Sequence, residues 1–503
     1  MERVALIDMG SNTIRLVVYD VHEGGYYTLV DEMREAVRLG ETEKDGSLKQ
    51  TRVLQALNTL KTYKKQCAVD KVDKILAVAT AAVRQARNQK AFLSEVYNVT
   101  GIKLRVLSET EEATYVYQGV INSMDIPKGL IMEIGGGSTK FVYYNRRNIL
   151  QIAIFPFGAL TLTERFTNEE STPETIAENI ERFFAEQLES LPWLKELDPD
   201  TQLIGVGGSF RNLARIVRRV NNYPLDMVHN YHMERNELVR VYEKMRALNF
   251  DKKMKIKGIS AVRADVLPSA LAAMKAFVDY CGFETIVTSS CGLREGFMFN
   301  YAVPLTIEKP ISDVLGHSLL TYVEFSGENK MHCEQVFFLC IQLFKQLRVL
   351  HKFPRSYIKI LRCTSFMIDI GKRFKYYQNQ KHASYMILNS NIYGITHHDL
   401  VMAALITDMY PSGEVNKHDW VNYSCILTDE DVEIAKKLSV IFKLAKSFDK
   451  SGSNAITEIN CDVLGDSVIM KTEINGDATL EVKEAQGASY DFKRVFKKNL
   501  EIL

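Results

Sequence analysis

Two segments of the sequence combine a carboxylate, a glycine turn and hydroxyl side chains in the same order. In the first, an apolar run ends at Asp8 and a turn follows at Gly10 to Thr13; in the second, the acid is Glu133 and the turn is Gly135 to Thr139. Glycine lets backbone N–H groups approach phosphate oxygens, hydroxyls add donors, and a carboxylate at a strand end can hold Mg²⁺. A tight β-hairpin that merely needs positive φ is the alternative for either turn alone, but the matched pair favours a phosphate-binding cleft.

Two further glycine turns support this interpretation. Gly205 to Ser209 follows a short apolar run and opens an amphipathic stretch, and Thr285–Gly296 is a fourth strand and turn. None of the turns fits a P-loop, because GxxxxGK[ST] is absent, and none fits the dinucleotide fingerprint well.

These turns need strands and helices to position them. Alternating helical and strand patterns predict two α/β lobes with a cleft between them, at residues 1–125 and 126–305. A mainly helical region is predicted for residues 306–452, after a linker around Pro304 to Pro310. The last residues, 453–503, predict a small α+β domain, with strands that include residues 478–482.

Composition excludes several broad classes. The chain has 503 residues, with 63 Lys and Arg against 62 Asp and Glu, so no net field marks a bulk nucleic-acid or membrane binder. No apolar run approaches the roughly 20 residues of a membrane-spanning helix. Eight cysteines include no CxxC pair, which favours reduced thiols and a cytoplasmic location. Because the positive and negative charges of the chain nearly balance, attraction for a polyanion must come from a local group of basic residues.

Four motifs together resemble the Ppx/GppA family of exopolyphosphatases and guanosine pentaphosphate phosphohydrolases. They are Asp8 to Leu16, Thr80 to Ala86, Glu111 to Val120 and Ile134 to Thr139. The resemblance implies an α/β fold of two actin/Hsp70-like (ribonuclease H-like) lobes with an active site in the interlobe cleft. Residues 332–384 also resemble the helical HD-like domain of the long family members.

The resemblance assigns catalysis to Glu112. Ser108 and Glu111 have the spacing of a capping box at a helix start, which leaves Glu112 without a structural role. The matching family glutamate is the proposed general base, and we expect nearby phosphates to raise the pKa of this carboxyl. The resemblance also makes Glu133 a catalytic residue and makes Asp8 and Glu133 the ligands of Mg²⁺.

Further residues are expected to bind the substrate's phosphates. Arg84 matches a cleft arginine of the family, and a guanidinium can bind phosphate oxygens bidentately. The Arg294 to Gly296 segment also matches the family, and we interpret it as structural. The complete set of expected substrate-binding residues is Ser11, Asn12, Arg84, Gly135, Gly136, Gly137, Ser138, Gly207, Gly208 and Ser209.

The sequence departs from the family pattern at two positions. Glu133 stands where the family usually has Asp, and Lys140 stands where it commonly has a Glu suspected of metal binding. A cation there either weakens Mg²⁺ binding or contacts phosphate directly, and the sequence leaves both outcomes open.

The helical region lacks a catalytic HD signature. Asp369 has no preceding histidine, and His332, His382 and the pair at 397–398 form an incomplete ligand set, so we predict a non-catalytic domain. Six basic residues recur at three- and four-residue steps, which predicts a basic stripe in two helical segments divided at Pro354 and able to hold a long polyphosphate. These residues are Lys345, Arg348, Lys352, Arg355, Lys359 and Arg362.

The predicted function is that of an exopolyphosphatase, which removes terminal orthophosphate from inorganic polyphosphate with Mg²⁺ as cofactor. Two alternatives stay open at this point. One is hydrolysis of the 5′ γ-phosphate of guanosine pentaphosphate, and the other is a weakly active or non-catalytic protein that binds polyphosphate or nucleotide. Guanosine penta- or tetraphosphate is thus a second possible ligand, nucleic acid and membranes are not expected partners, and a homodimer is expected.

Overall fold

The apolar runs that end in a carboxylate form central strands of two mixed sheets. The computed structural model describes the backbone of residues 1–503 and every side chain except those of Phe250 and Lys417. The chain divides into two compact units. One comprises Met1–Tyr223 and Met227–Ser312, and the other comprises Pro224–Asp226 and Asp313–Leu503.

The first sheet has five strands in the order β3-β2-β1-β4-β5. Its strands are β1 (Glu2–Met9), β2 (Thr13–Val21), β3 (Tyr27–Ala36), β4 (Lys74–Ala79) and β5 (Leu104–Val106). The helices of this part are α1 (Gln50–Val69), α2 (Ala81–Gln85), α3 (Gln89–Thr100) and α4 (Glu109–Ile121).

The second sheet has six strands in the order β10-β11-β9-β6-β7-β8. Its strands are β6 (Lys128–Ile134), β7 (Thr139–Asn145), β8 (Asn148–Phe155), β9 (Gln202–Val206), β10 (Tyr231–Glu234) and β11 (Thr285–Thr288). The helices of this part of the chain are α5 (Ala159–Phe166), α6 (Pro173–Leu188), α7 (Gly207–Val220), α8 (Arg235–Arg246), α9 (Phe250–Met254), α10 (Leu267–Cys281) and α11 (Leu293–Ala302), of which α11 packs against the first sheet.

The two sheets repeat one plan. In each, the first strand pairs antiparallel with the second and parallel with the fourth, so that β6, β7, β8 and β9 match β1, β2, β3 and β4. The weak sequence repeat therefore reflects a repeat of the whole sheet, and the two acids end equivalent strands.

The central strands are apolar on both faces because both faces are covered. In β1, Ala5 and Ile7 pack in the cluster that contains α1 and α3, whereas Val4 and Leu6 pack in the cluster that contains Met298 of α11. All four side chains are fully buried. A run without polar alternation is typical of strands covered on both sides.

The second unit begins with helices and ends with a small sheet. Its helices are α12 (Val314–Ser326), α13 (Lys330–Gln346), α14 (Arg348–His351), α15 (Ile358–Met367), α16 (Asn379–Asn389), α17 (His397–Met409), α18 (Lys417–Trp420), α19 (Asp429–Ser447), α20 (Thr479–Gln486) and α21 (Ser489–Phe496). The strands β12 (Ile456–Val463), β13 (Ser467–Ile474) and β14 (Asn499–Ile502) form a three-stranded sheet. Helices and sheet belong to the same compact unit.

Two sequence-based expectations for this unit differ from the structure. Residues 478–482 were expected to form a strand, but α20 begins there because the buried positions Ala478, Glu481 and Ala485 follow helical spacing. The basic segment is also broken further than expected, since α13 ends at Gln346 and Lys352 adopts a left-handed conformation. The six basic residues therefore do not lie on two continuous helical segments as predicted.

A helix needs roughly 20 predominantly apolar residues to cross a bilayer. No helix in the described part of the chain combines enough length with enough apolar character to cross a membrane.

Candidate active site

The two glycine turns close in the same way. The N–H of Gly10 donates to the carbonyl of Thr13 over 3.0 Å, and the N–H of Gly135 donates to the carbonyl of Ser138 over 2.9 Å. The strand register then places Asp8 opposite Arg15 and Glu133 opposite Lys140. Each hairpin thus presents one acid and one cation side by side.

The two hairpin turns lie against each other and line one cleft. A Cβ added at Gly137 would stand 2.8 Å from the hydroxyl oxygen of Ser11, so only glycine permits this approach. The cleft has a volume of about 120 Å³. The sequence-predicted residues that line it are Asp8, Ser11, Asn12, Glu112, Glu133, Gly135, Gly136, Gly137, Ser138, Gly207 and Gly208.

Glu112 lies in the first turn of α4 and is 5% exposed. Its Oε1 is 2.7 Å from Nζ of Lys140, and its Oε2 accepts a hydrogen bond from Nη1 of Arg84 over 2.9 Å. The capping box of Ser108 and Glu111 forms as predicted, so the neighbouring glutamate has the structural role and Glu112 faces the cleft.

The pKa of Glu112 is lowered, whereas the sequence argument expected it to be raised. Burial alone would raise the pKa of this carboxyl, but the ammonium of Lys140 and the guanidinium of Arg84 outweigh burial. Those two cations hold Glu112 ionised and fixed in position. The expected rise in pKa concerns this carboxyl beside bound phosphates, and it stays a prediction.

Lys140 connects two carboxylates. Its Nζ lies 2.9 Å from Oε2 of Glu133 as well as 2.7 Å from Glu112, and it donates to the hydroxyl of Ser138 over 3.2 Å. The side chain is 1% exposed, and its pKa is raised because the two carboxylates outweigh the effect of burial. Lys140 is therefore a fixed positive charge between Glu112 and Glu133, a detail that the sequence left open.

Four arginines that were not proposed as binding residues also line the cleft: Arg15, Arg211, Arg263 and Arg294. Arg294 was expected to be structural, and it does contact Asp8 at 3.9 Å and Glu32 at 3.3 Å. Arg15 could have been found from the repeat, because it holds the position in the first hairpin that Lys140 holds in the second. Arg211 and Arg263 come from α7 and from a short turn near residue 262, and no motif marked them.

A second pocket of about 310 Å³ continues from the cleft and shares Arg15, Gly208, Arg211 and Arg263 with it. Its complete lining is Arg15, Glu32, Arg34, Gly208, Arg211, Asn212, Arg215 and Arg263, so five arginines face one acid. The guanidinium of Arg263 lies against Gly208, and a side chain at position 208 would displace it.

The five arginines of this second pocket carry more positive charge than its one acid, Glu32, neutralises. Burial together with the neighbouring arginines lowers the pKa of Arg211 to about 9 and the pKa values of Arg15 and Arg263 to about 10. A bound anion would relieve both the repulsion and the loss of solvation. The arrangement is therefore suited to a ligand with several negative charges.

Unsatisfied polar atoms point to the same conclusion. Both polar atoms of the Asn12 side chain are buried without a hydrogen-bond partner among the described residues, although Asn12 lines the cleft. Buried amide groups normally find partners, so water or a ligand in the cleft is the expected partner here. The N-terminus of α7, at Gly207 and Gly208, adds free backbone N–H groups and a positive dipole end to the same cleft.

Two predicted binding residues do not line the cleft. Arg84 lies behind Glu112, where it also donates to the carbonyl of Leu107 over 2.9 Å. Ser209 is 1% exposed within α7. In this structure Arg84 positions Glu112, and Ser209 belongs to the packed side of the helix.

Asp8 and Glu133 are the candidate metal ligands. Both line the cleft, and burial raises the pKa of Asp8 to about 6 against the opposing effect of Arg294 and Arg15. In the described part of the chain, no group of three or more His, Cys, Asp or Glu side chains could hold a metal ion. Mg²⁺ commonly uses one or two carboxylates and completes its shell with phosphate and water, so this pair suits a metal that arrives with a phosphorylated ligand.

Together the fold and cleft define an α/β protein of two repeated mixed sheets, with a cleft lined by both hairpin turns and by four arginines. The model of the Ppx/GppA phosphatase family matches residues 17–303, and the chain belongs to this family. Its two mixed sheets have the actin/Hsp70-like Ppx/GppA fold, followed by the helical region. Members of the family are hydrolases of phosphoanhydride bonds.

Individual relatives carry different names. A bifunctional 3-dehydroquinate synthase/phosphatase of Fusobacterium nucleatum is 29% identical over 303 residues, 57% of this chain and 44% of the relative. This chain thus matches less than half the length of that relative. A guanosine-5′-triphosphate,3′-diphosphate pyrophosphatase of Aeromonas hydrophila is 25% identical over 408 residues, 78% of this chain and 77% of the relative.

Solved structures agree with the fold of the first unit. An exopolyphosphatase from Cytophaga hutchinsonii matches with a TM-score of 0.55 at 25% identity, over 60% of this chain and 98% of the other. The Aquifex aeolicus member of the Ppx/GppA family matches with a TM-score of 0.51 at 25% identity, over 60% and 97%.

Proposed function

We propose that this protein is an exopolyphosphatase that releases terminal orthophosphate from inorganic polyphosphate. The observation that carries the proposal is the arginine pocket that continues from the Glu112 cleft. A terminal phosphoryl group in the cleft would have its neighbouring phosphates beside Arg15, Arg211 and Arg263. The described lining of the cleft and pocket contains no aromatic side chain on which a guanine base could stack, which favours a ligand made of phosphates alone.

The chain's own residues suggest how the reaction proceeds. Backbone N–H groups of Gly135 to Ser138 and the side chains of Ser11 and Asn12 hold the oxygens of the terminal phosphoryl group. Glu112, ionised and held by Lys140 and Arg84, keeps lone pairs that can accept a proton from water. As water attacks phosphorus in line, its proton passes to Glu112, and the bond to the bridging oxygen breaks. The shortened chain leaves with the bridging oxygen.

Mg²⁺ belongs to the proposal through Asp8 and Glu133, both of which face the cleft. When bound, the ion would neutralise charge that develops on phosphate oxygens. Glu133 would then serve both the metal and Lys140, which we propose as its catalytic contribution. Glu112 has both oxygens engaged by cations of the chain and is not part of this ligand pair.

The direct experiment is a time course of orthophosphate release from long-chain polyphosphate and from guanosine pentaphosphate, with and without Mg²⁺. We expect faster release from polyphosphate and loss of release in Glu112→Gln. The proposal fails if polyphosphate yields no orthophosphate with Mg²⁺, or if Glu112→Gln retains the wild-type rate.

Hydrolysis of guanosine pentaphosphate is the second candidate, favoured by the name of the Aeromonas relative. Both substrates would use the same carboxylate and the same glycine turns. Competition between the two substrates separates them, because the preferred substrate inhibits hydrolysis of the other at the lower concentration.

A non-catalytic binder of polyphosphate or nucleotide is the third candidate, and the Lys140 ion pairs favour it. An ammonium 2.7 Å from the general base reduces the basicity of that carboxylate. Tight binding of polyphosphate without turnover, together with a gain of turnover in Lys140→Glu, would support this reading over the enzyme.

The second unit is proposed to be a non-catalytic HD-like region. Asp369, the residue that would follow the missing histidine, is engaged by Lys446, Lys372 and His332. The position before it, where the histidine would stand, is Ile368, and this departure supports a non-catalytic region. The HD-like character of this region, the homodimer and the cytoplasmic location stay predictions.

A further inference from the structure

A large apolar pocket lies in the first unit and shares no lining residue with the cleft or the arginine pocket. It has a volume of about 610 Å³, within the usual range of small-molecule sites. The C-terminal half of α7, the helix α8 and the segment from Lys252 to Lys257 enclose it. Its apolar lining is aliphatic: Ile216, Val217, Val220, Val241, Met245, Leu248 and Ile256.

Six basic side chains surround this aliphatic floor: Arg219, Arg240, Lys244, Lys252, Lys255 and Lys257. All six are exposed, and none forms an ion pair with a described side chain. Glu237 is the one acid of the lining. Its carboxylate accepts hydrogen bonds from the side chain of Asn221 and from the N–H of Glu234, and its one negative charge offsets only one of the six described cations.

An aliphatic cavity with a cationic rim selects a ligand with two parts. The cavity favours a flexible hydrocarbon chain, because the described apolar residues of its lining are all aliphatic. The rim favours an anionic head group, since six cations and only one acid surround the opening. We propose that this pocket binds a single-chain amphiphile with a phosphate or carboxylate head group.

The probe for the test is dodecyl phosphate, titrated calorimetrically below its micellar concentration into the full-length protein. We expect a micromolar Kd and an affinity that rises about tenfold for each two methylenes in an octyl, decyl and dodecyl series. Dodecanoate should also bind. Dodecyl maltoside, which has the same chain and a neutral head, should bind at least tenfold more weakly.

Variants assign the binding to this pocket. The double variant Arg240→Glu/Lys244→Glu should weaken dodecyl phosphate at least tenfold, and Leu248→Trp should fill the cavity and weaken it similarly. Arg182→Glu, an exposed arginine of α6 outside the pocket, is the matched control and should bind as wild type does. Thermal unfolding of each variant checks that it is folded.

Three results would overturn the proposal. The first is no binding of dodecyl phosphate, and the second is equal affinity in the wild type and both pocket variants, which would place the anion in the arginine-rich cleft. The third is binding only to vesicles of anionic phospholipid and not to monomeric dodecyl phosphate, which would identify a membrane-facing surface. Failure of the phosphatase assay would not affect this result, because the pocket has no residue of the cleft.

Discussion

Two buried clusters of this protein combine a lysine with acidic side chains, one in each compact unit. In the cleft of the first unit, Lys140 lies between Glu112 and Glu133. In the second unit, Lys446 of α19 contacts Asp369, which Lys372 also contacts at 2.9 Å. By residue type alone, the two clusters look equivalent.

Their surroundings differ. In the second unit, His332 lies 3.3 Å from Asp369 and 2.6 Å from Asp449, and the second oxygen of Asp449 accepts the N–H of Asn454. The carboxylates there have partners from the chain itself. The Lys140 cluster instead borders a cavity with an unpartnered Asn12 and arginines of lowered pKa. The adjoining cavity with its arginines, and not the presence of acids and lysines, distinguishes the candidate binding site from the ion cluster of the second unit.

The largest expected effect tests the chemistry of the first cluster. Glu112→Gln removes the proton acceptor while keeping its size, and general-base catalysis typically contributes roughly 100- to 10,000-fold, so we expect a loss of that order in kcat. Glu111→Gln is the matched control on the same helix turn, since glutamine also serves a capping box. Orthophosphate release measures both, and a retained rate in Glu112→Gln would contradict the assignment.

Replacing the lysine of each cluster, Lys140 or Lys446, is expected to have the next largest effects. Lys140→Met leaves two buried carboxylates without their shared cation, and removal of one partner of a buried pair typically costs about 3–5 kcal/mol. We expect the free energy of unfolding to fall by about 3 kcal/mol, and kcat to fall about 100-fold because Glu112 is no longer held ionised.

Lys446→Met is the counterpart in the second unit. It should lower the free energy of unfolding by a comparable amount, about 3 kcal/mol, but leave the rate of orthophosphate release per folded molecule unchanged. Denaturant unfolding and steady-state kinetics measure the two quantities separately. Equal losses of kcat in both variants would break the distinction between the clusters.

A smaller effect is expected in the arginine pocket. Arg263→Gln removes one charged contact to phosphate, worth about 1.5–3 kcal/mol, so KM for long polyphosphate should rise about tenfold to a hundredfold with little change in kcat. The dependence of KM on salt should also weaken, because fewer counterions are displaced. Arg182→Gln, outside the pocket, should leave both quantities unchanged.

The smallest effect concerns pH and the second cluster. Burial and the nearby Lys446 lower the pKa of His332, but its bonds to Asp369 and Asp449 prevail and raise it above the usual value. The protonated histidine therefore adds stability that is full below about pH 6.5 and is lost as pH rises through the higher pKa of the folded state. We expect the free energy of unfolding to fall with pH in that window, by at most about 1.4 kcal/mol per pH unit.

His332→Gln should reduce the fall of the free energy of unfolding with rising pH. Denaturant unfolding at pH values between 6 and 9 measures this change. The rate of orthophosphate release should not share the change, because His332 lies in the second unit. A slope that persists in the variant would assign the titration to another group.

The local parts of the candidate site were predictable from the sequence. Apolar runs, glycines and the Ser108–Glu111 spacing are short-range signals, and they located both hairpins and separated Glu111 from Glu112. Residues 478–482 show the limit of such signals: alternating Leu480 and Val482 suggested a strand, but packing buried Glu481 and formed a helix.

The arginines could not be predicted, because their contribution depends on tertiary structure. Arg211 and Arg263 are 52 positions apart in the sequence and come together only through the packing of α7 against the turn near residue 262. Lys140 was ambiguous for a related reason. Its type was visible, but whether it faced phosphate or the two glutamates depended on where α4 placed Glu112.

The two hairpins also bear on the direction in which a proposed polyphosphate substrate would lie in the cleft. Inorganic polyphosphate reads identically from either end, so any sense of direction along the polymer must come from the protein. The two hairpins differ in their acids, Asp8 and Glu133, and also in the surroundings of their cations. Arg15 lines the arginine pocket, whereas Lys140 is enclosed by Glu112 and Glu133. The exchange of one cation for another across the duplicated motif thus makes the two sides of the cleft chemically different.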